Sequence, residues 1–556
     1  MRPICSGKPV GLLVLLACVA AAQPLIDAGG VVNAASYALA GLPNSSIGRG
    51  SIFNVFGRNM GPTTIELAKF PLPTTLAGTS VKVTVSGTTL EALMVYTLAT
   101  QLACLMPSNT PEGTGTLQVT YNNQASPAVP VTVVRASFGV FAINQVGSGP
   151  GVFTDVEYKV NTVTWSARPN EVIAAWGTGL GPVTFDETRG APPEDMRDSD
   201  VQVFVGGKPA EVLFRGRAPN FSGLDQITFR IPPGLEGCYV PVAVKVGGAV
   251  SNFVSISISA GKRTCSDPLG LSETEIDQAK TKDSLSIGSV ALSKTEISLG
   301  AVPGLGDVSI KTDRGSADFV RYNFLKLIGS RGASGFAPFG HCAVYTFTGQ
   351  AYTLSEPVNP AGLDAGNISV TGPRGTKQFT LDSKGHYSAE LGGGVPGMPG
   401  WQEEYLVKGS YTVTGTGGAD VKQFTATLNL PDPLQWTNRN SISAVSRAQD
   451  LRVTWSGGDP SREYVTIAGV SMRTTPEVGA AFVCTERAAA QAFTVPAVVL
   501  SALPASQAGG SLSGLPAGML MLGSAPLLEP AKFKATGLDA GYFSYTILGG
   551  KGVAYQ

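Results

Sequence analysis

The chain has 556 residues, only 14% of them charged, and its 40 lysines and arginines balance 40 aspartates and glutamates. That balance leaves no electrostatic footprint for nucleic acid or an acidic membrane surface, and two histidines, His341 and His386, sharply limit imidazole catalysis and His-rich metal sites. The 69 glycines and 38 prolines suit many short strands joined by turns and suit helix interiors poorly.

The N-terminus reads as a targeting segment. Arg2 and Lys8 supply positive charge, and the apolar run Val10 to Ala22 is too short to span a bilayer comfortably. It closes on Ala20-Ala21-Ala22, the small-residue pattern that a signal peptidase requires. Residues 1–22 are therefore expected to be a signal peptide, with a mature chain starting near Gln23 that is secreted or kept in the cell envelope. The other reading is a lipid anchor at Cys18, because Leu15-Leu16-Ala17-Cys18 partly resembles a lipobox, with Leu16 a poor fit. No later segment is long and apolar enough for a transmembrane span.

The next region is written twice, about 120 residues apart. Phe56-Gly57-Arg58-Asn59-Met60-Gly61-Pro62 returns as Trp176-Gly177-Thr178-Gly179-Leu180-Gly181-Pro182, and Val81-Lys82-Val83-Thr84-Val85 returns as Val201-Gln202-Val203-Phe204-Val205. Gln101-Leu102-Ala103-Cys104 returns as Gln226-Ile227-Thr228-Phe229. The valine runs have period two, which puts three branched side chains on one face of a sheet. Gly87 and Gly206-Gly207 then turn the chain back. Strands of this number and length predict an all-β protein of tandem immunoglobulin-like β-sandwich domains, the first over 27–135 and the second over 136–260.

Several motifs in this half carry a resemblance. Val31-Val32-Asn33-Ala34-Ala35-Ser36, Pro71-Leu72-Pro73-Thr74-Thr75-Leu76, the Trp176 to Pro182 turn and Gln226-Ile227-Thr228-Phe229 resemble, in order, an uncharacterised domain family abundant in secreted proteins of Solibacter-type acidobacteria. The resemblance covers about residues 27–260. Each repeat is also similar to the IPT/TIG class of immunoglobulin-like domains in its strand and turn pattern. Leu102-Ala103-Cys104 departs from the Ile-Asn-Phe usual in the acidobacterial family. The resemblance implies export and β-structure and implies no established activity.

Residues 261–290 read as a linker in which Ser272 and Glu275 form a candidate capping box for a short helix, Glu273 to Lys280. Beyond it, β-patterning predicts a third sandwich over 291–430 and a fourth over 435–556, divided near Pro431-Asp432-Pro433. Five cysteines remain after the signal peptide. Disulfides Cys238–Cys265 and Cys342–Cys484 are expected, the first worth roughly 3–4 kcal/mol for a loop of that size and the second stapling the two C-terminal units. Cys104 is left as a free thiol, a small hydrophobe where the second copy has Phe229.

Candidate chemistry is sparse. Gly177-Thr178-Gly179-Leu180-Gly181 looks like a phosphate-cradling loop, but Pro182-Val183 follows instead of a helix, so a structural turn is expected. His341 and Cys342 are neighbours on a strand, so their side chains point to opposite faces and form no catalytic pair. Asp195, Asp198 and Asp200 lack the spacing of a calcium loop. The most suggestive cluster is Trp401 with Glu403 and Glu404, since an indole face can stack on a sugar ring; the plain alternative is a solvated loop after the Gly- and Pro-rich 392–400. Trp165, Trp176, Trp436 and Trp455 read as core or end-capping residues. No catalytic residue, metal ligand or cofactor is assigned. The expected function is non-enzymatic binding, adhesion or cell-surface architecture outside the cell, with polysaccharide or a surface protein as partner. The alternative is a glycosidase-like hydrolase with a carboxylate site in 300–556.

Overall fold

Val81, Val83 and Val85 alternate with Lys82 and Thr84 along the strand Thr79–Val85, and that period decides where the first sandwich closes. The computed structural model describes residues 23–556 except 191, 193, 268–271, 303–305, 329–337, 349–359, 508–510, 513–514 and 528–531. The expected signal peptide of residues 1–22, with Cys18, lies outside the described residues. Thr79–Val85 pairs with Gly113–Tyr121 inside a seven-stranded sheet. A five-stranded sheet faces it, ordered Leu25–Asn33, Ile52–Arg58, Gln101–Leu105, Leu93–Thr97 and Glu66–Leu67. Phe53, Val55, Leu102 and Cys104 of the second sheet meet the three valines in one core, each such large apolar side chain contributing about 1.5–3 kcal/mol.

The second repeat is built on the same register. Phe56 lies opposite Gln101 and Phe53 opposite Cys104 in the first copy; Trp176 lies opposite Gln226 and Ile173 opposite Phe229 in the second. Cys104 is free and fully buried in the place of Phe229, and burial pushes its thiol far above the usual range. The copies differ in how one strand changes sheet. Lys208–Arg217 bends at a bulge between Val212 and Phe214 and pairs with both Val201–Val205 and Asp225–Arg230, fusing ten strands into one sheet. The first copy divides the same task between Thr88–Glu91 and Leu93–Thr97.

After the repeats comes the helix Glu273–Lys282. Glu275 N–H donates to Ser272 Oγ at 3.3 Å while the Glu275 carboxylate accepts the Ser272 amide at 2.9 Å, the reciprocal capping box. Its Ile276 and Ala279 pack with Val163, Leu285 and Phe324 around the Cys238–Cys265 disulfide, which ties the second repeat to this joint.

The residues read as the end of the linker, Ser284 to Val290, instead open a 19-residue strand, Ser284–Val302, paired with the 18-residue Gly306–Asn323. An eleven-stranded sheet grows around this hairpin. In space it runs from His341–Thr348 through Glu477–Arg487, Glu463–Thr474, Gly518–Pro526 and Ala540–Gly552 to the hairpin, then to His386–Gly394 and Thr380–Ser383. Strands from both sides of Pro431-Asp432-Pro433 thus share one sheet. A four-stranded sheet with Gly409–Gly415 at its centre helps cover one end, over a core including Phe319, Tyr411, Phe424 and Phe543. A three-stranded sheet, Gln435–Trp436, Leu451–Ser456 and Ala492–Val495, covers the other, over Trp455, Phe482 and Tyr555. Cys342 and Cys484 are bonded across directly paired strands of the shared sheet, so this bridge joins neighbours within one unit.

Candidate functional site

The glycine-rich turn of the second repeat is occupied by its own chain. The amides of Gly179 and Leu180 donate to Asp225 Oδ2 at 2.7 and 2.8 Å, as a phosphate-binding loop would donate to an oxyanion. Asp225 Oδ1 accepts from Arg217 Nη1, and both side chains are almost completely buried. Burial raises the proton affinity of Asp225; Arg217 and the two amides act against it. Arg217 Nη2 also donates to Gly50 O at 2.8 Å and Gly181 O at 2.7 Å, which bolts the first repeat to the second. In the first copy no ion pair among the described residues closes the corner: Gly57 and Met60 amides donate to Thr100 O and Ala99 O, and Thr79 Oγ1 donates to Met60 O at 3.1 Å.

Trp401, Glu403 and Glu404 lie between the strands His386–Gly394 and Gly409–Gly415. The segment folds back on its strand through Gln402 N to Gly393 O at 2.9 Å, leaving Trp401 half-buried. The two glutamates diverge. Glu403 is 82% exposed and pairs with Arg374 at 2.8 Å. Glu404 turns onto the sheet, where it accepts from Lys294 Nζ at 2.5 Å and Lys311 Nζ at 3.2 Å. Burial raises its carboxyl, but the two ammonium groups outweigh that and hold it below its ordinary value. Lys311 is raised in return, first by its bond to Glu404. Lys294 also donates to Leu406 O at 3.0 Å and stands 3.8 Å from buried Asp313, whose carboxyl burial pushes up. Two lysines and two acids cancel, so the network pins the segment to the sheet.

Beside this network the two covering sheets leave a strip of the long sheet open. The gap is a cleft of about 360 Å³ lined by Lys294, Glu296, Leu434, Trp436, Arg439 and Ile547, among others. Its floor follows from register: Lys294 lies opposite Ile547, and Glu296 opposite Gly549, which lies opposite Leu522. Trp436 is the indole in this cleft, its Nε1 fixed by donation to Asn438 Oδ1 at 3.0 Å. Arg439 is held by Gly550 O at 2.9 Å.

No protein-family model matches the sequence, and no curated protein does. Solved structures are similar in β-rich parts. The extracellular region of plexin A4, domains 1 to 8, is 12% identical over 44% of this chain with a TM-score of 0.15, and the chain spans 19% of that region's length. SGBP-B from a Bacteroides ovatus mixed-linkage glucan utilization locus, solved with a mixed-linkage heptasaccharide, is 10% identical over 86% of this chain and 96% of its own, with a TM-score of 0.14. Domains 5–6 of the S-layer protein SbsC are 13% identical over 42% of this chain and 98% of their own, with a TM-score of 0.16. Likenesses at this level leave ligand and chemistry to be argued from the side chains themselves.

Other carboxylates of 300–556 come together in pairs that are tied up within the fold: Asp420 Oδ2 accepts from the Asp364 amide at 2.9 Å, and Asp313 and Glu404 share Lys294 Nζ at 3.8 and 2.5 Å. The fully buried carboxylates described in 300–556 are Asp313 and Glu463. Glu463 is satisfied by Tyr545 Oη at 2.6 Å and the Asp459 amide at 2.6 Å. Asp313 is connected to the Glu463 strand through Lys294, Ile547, Ser524 and Val465. Those four strand steps place the two acids about 19 Å apart, well beyond glycosidase separation. Asp195 pairs with Arg197 at 2.6 Å, and Asp198 and Asp200 are exposed. Among the described residues no group of three His, Cys, Asp or Glu is placed to hold a metal ion. His341 is buried against the second repeat, its Nδ1 2.7 Å from Gly206 O, and burial lowers its pKa. Trp436, read from the sequence as a core or end-capping residue, instead lines this cleft; Leu434-Gln435-Trp436 follows two prolines that mark an apparent boundary.

Proposed function

We propose that this is an exported, non-catalytic binding protein whose linked β-sandwiches serve adhesion or surface architecture, with an extracellular polysaccharide as the partner. The observation that supports it best is the cleft between the two covering sheets, where a fixed indole, a guanidinium and the exposed Glu296 carboxylate line a concave site on a rigid sheet. Trp436 supplies a ring face for a sugar, and Glu296 and Arg439 supply the polar contacts that orient it. Glu404 acts behind the cleft as a positioning residue through Lys294. Export of residues after a 1–22 signal peptide and kinship with the Solibacter-type and IPT/TIG domains belong to the same proposal. The test is pull-down on insoluble polysaccharides together with a soluble glycan array. Retention on a polysaccharide and about tenfold weaker binding of Trp436→Ala, a loss of about 1.4 kcal/mol, are expected. Release of reducing sugar from the bound polymer, or no retention on any polysaccharide, would overturn the reading.

A further inference from the structure

The duplication extends to the outward faces of the repeats, where no core needs to be conserved. Tyr37 packs on Phe56 with ring centroids 6.2 Å apart and planes at 38°; Tyr158 packs on Trp176 at 6.2 Å and 34°. Both tyrosines adopt the left-handed backbone conformation, φ 51° and φ 62°, which an L-residue of this size rarely takes. Strand register continues the match. Phe56 is opposite Gln101 and Trp176 opposite Gln226; two residues on, just before a bulge in each copy, Tyr96 is opposite Ala103 and Phe214 opposite Thr228. Each repeat therefore lays out a tyrosine, a larger or equal ring, a glutamine and a third ring in one row across the sheet.

The row is held in place, and its own ring and amide side chains carry no charge. Trp176 Nε1 donates to Thr154 Oγ1 at 3.0 Å, and Gln226 Nε2 to Thr228 Oγ1 at 3.1 Å. In the first copy Gln101 Nε2 donates to Tyr96 Oη at 2.6 Å and Asn54 Nδ2 to Tyr37 Oη at 3.3 Å. Each of those hydroxyls is already an acceptor, so what it offers a ligand is its hydrogen. Burial raises Tyr37 and brings Tyr96 to about 12, which keeps both protonated at neutral pH. At the margins of the second row Arg230 pairs with Glu211 at 2.9 Å, and the Lys159 ammonium sits over the Trp165 ring. Tyr158 stands 71% exposed.

We propose that these two rows bind a neutral polysaccharide chain built of equatorially substituted pyranose rings. The inference rests on reading the chain as a glycan-binding protein and adds a second surface, distinct from the cleft. Such a ring presents C–H bonds on its flat face and hydroxyls around its edge. The electron-rich ring faces of Tyr158 and Trp176 meet the first, and the amide of Gln226 meets the second. An uncharged row matches an uncharged polymer, where an acidic or basic partner would require counter-charges. A row shown twice fits a ligand that repeats itself, and the Arg217 bonds to Gly50 and Gly181 hold the two repeats in a fixed relation, so that one chain engaging both gains avidity.

The experiment titrates the purified chain with cellohexaose and, in parallel, with maltohexaose, whose α-linkages curl the chain, following tryptophan fluorescence and calorimetric heat. Saturable binding of cellohexaose, weaker binding of maltohexaose, and about tenfold loss in Tyr158→Ala are expected, the last equal to about 1.4 kcal/mol. Tyr158→Ala removes an exposed side chain, and an unchanged melting temperature certifies its fold; Trp176→Phe, which keeps a ring, should retain most of the affinity. Tyr37→Ala with Tyr158→Ala should release a long β-glucan more than either change alone. Polysaccharide binding that both Tyr158→Ala and Tyr37→Ala leave intact overturns the row while leaving the cleft reading standing. Retention on no polysaccharide overturns both. Preference for maltohexaose overturns the ligand class, and loss of a surface-protein partner in Tyr158→Ala with no glycan binding makes the row a protein-docking face instead.

Discussion

Arg217→Met should be among the most damaging single substitutions in the first two sandwiches. It removes the charge facing Asp225, a carboxylate with 0% exposure, and two bonds to the carbonyls of Gly50 and Gly181. Breaking a buried ion pair from one side costs about 3–5 kcal/mol, because the remaining charge keeps its desolvation cost. The carbonyl bonds overlap with that figure, so about 4 kcal/mol is the working value. Asp225→Leu together with Arg217→Met removes both charges and leaves the Gly179 and Leu180 amides without their acceptor, about 1–3 kcal/mol for each, or about 2–6 kcal/mol together. The double variant should therefore lose much less than Arg217→Met and Asp225→Leu summed, because neither charge is left behind alone. At roughly 2–4 °C per kcal/mol for a unit of this size, the first calorimetric transition should fall by about 8–16 °C in Arg217→Met, and in the double variant by clearly less than the falls of the two single variants added together. Hydrogen exchange should place the loss at Gly50 and Gly179–Gly181. A single variant within about 1 kcal/mol of wild type, or a double variant as unstable as the two singles summed, would refute the electrostatic account.

Cys104 should not react with a thiol reagent in the native chain and should react fully once the chain is unfolded without reductant, while the four bridged cysteines stay silent; reaction in the native state would contradict its burial. Glu404 carries a pH signature. Its folded pKa lies below the ordinary 4.5, so its contribution is fully present above about 4.5 and is lost as pH falls through the folded value. Glu404→Gln should lower the melting temperature at pH 7, with the difference from wild type shrinking below pH 4; a difference that grows on acidification would invert the assigned sign.

The duplicated half was legible because its signals are local. Period-two valines and glycine turns recur at one spacing, the Gln-to-Pro strands follow after a slip of five residues, and the structure pairs Phe56 with Gln101 and Trp176 with Gln226 across that slip. The Tyr37 and Tyr158 match escaped because Asn33-Ala34-Ala35-Ser36 and Thr154-Asp155-Val156-Glu157 share no side chain, and a left-handed tyrosine has no sequence signature. From the sequence Glu404 is a candidate sugar contact with Trp401 and Glu403, or a solvated loop residue; its partners Lys294 and Lys311 are about a hundred residues away, and only the fold brings them together. The C-terminal half was read as two sandwiches because Pro431 and Pro433 bar a strand locally. Whether strands on either side later join one sheet depends on long-range pairing, such as Ile287 with Ala540, which no local pattern encodes.

That pairing sets an order of events for the C-terminal half. Ala540–Gly552 lies between Gly518–Pro526 and the early strand Ser284–Val302, so a central member of the sheet is synthesised some 250 residues after the strand it pairs with. Until it arrives, Ser284–Val302 has one edge bare along a length of about 60 Å, an open template for the wrong strand. The half-sheet must wait, shielded or unfolded, for a piece some 250 residues downstream, and a chain shortened before residue 540 would display that edge permanently.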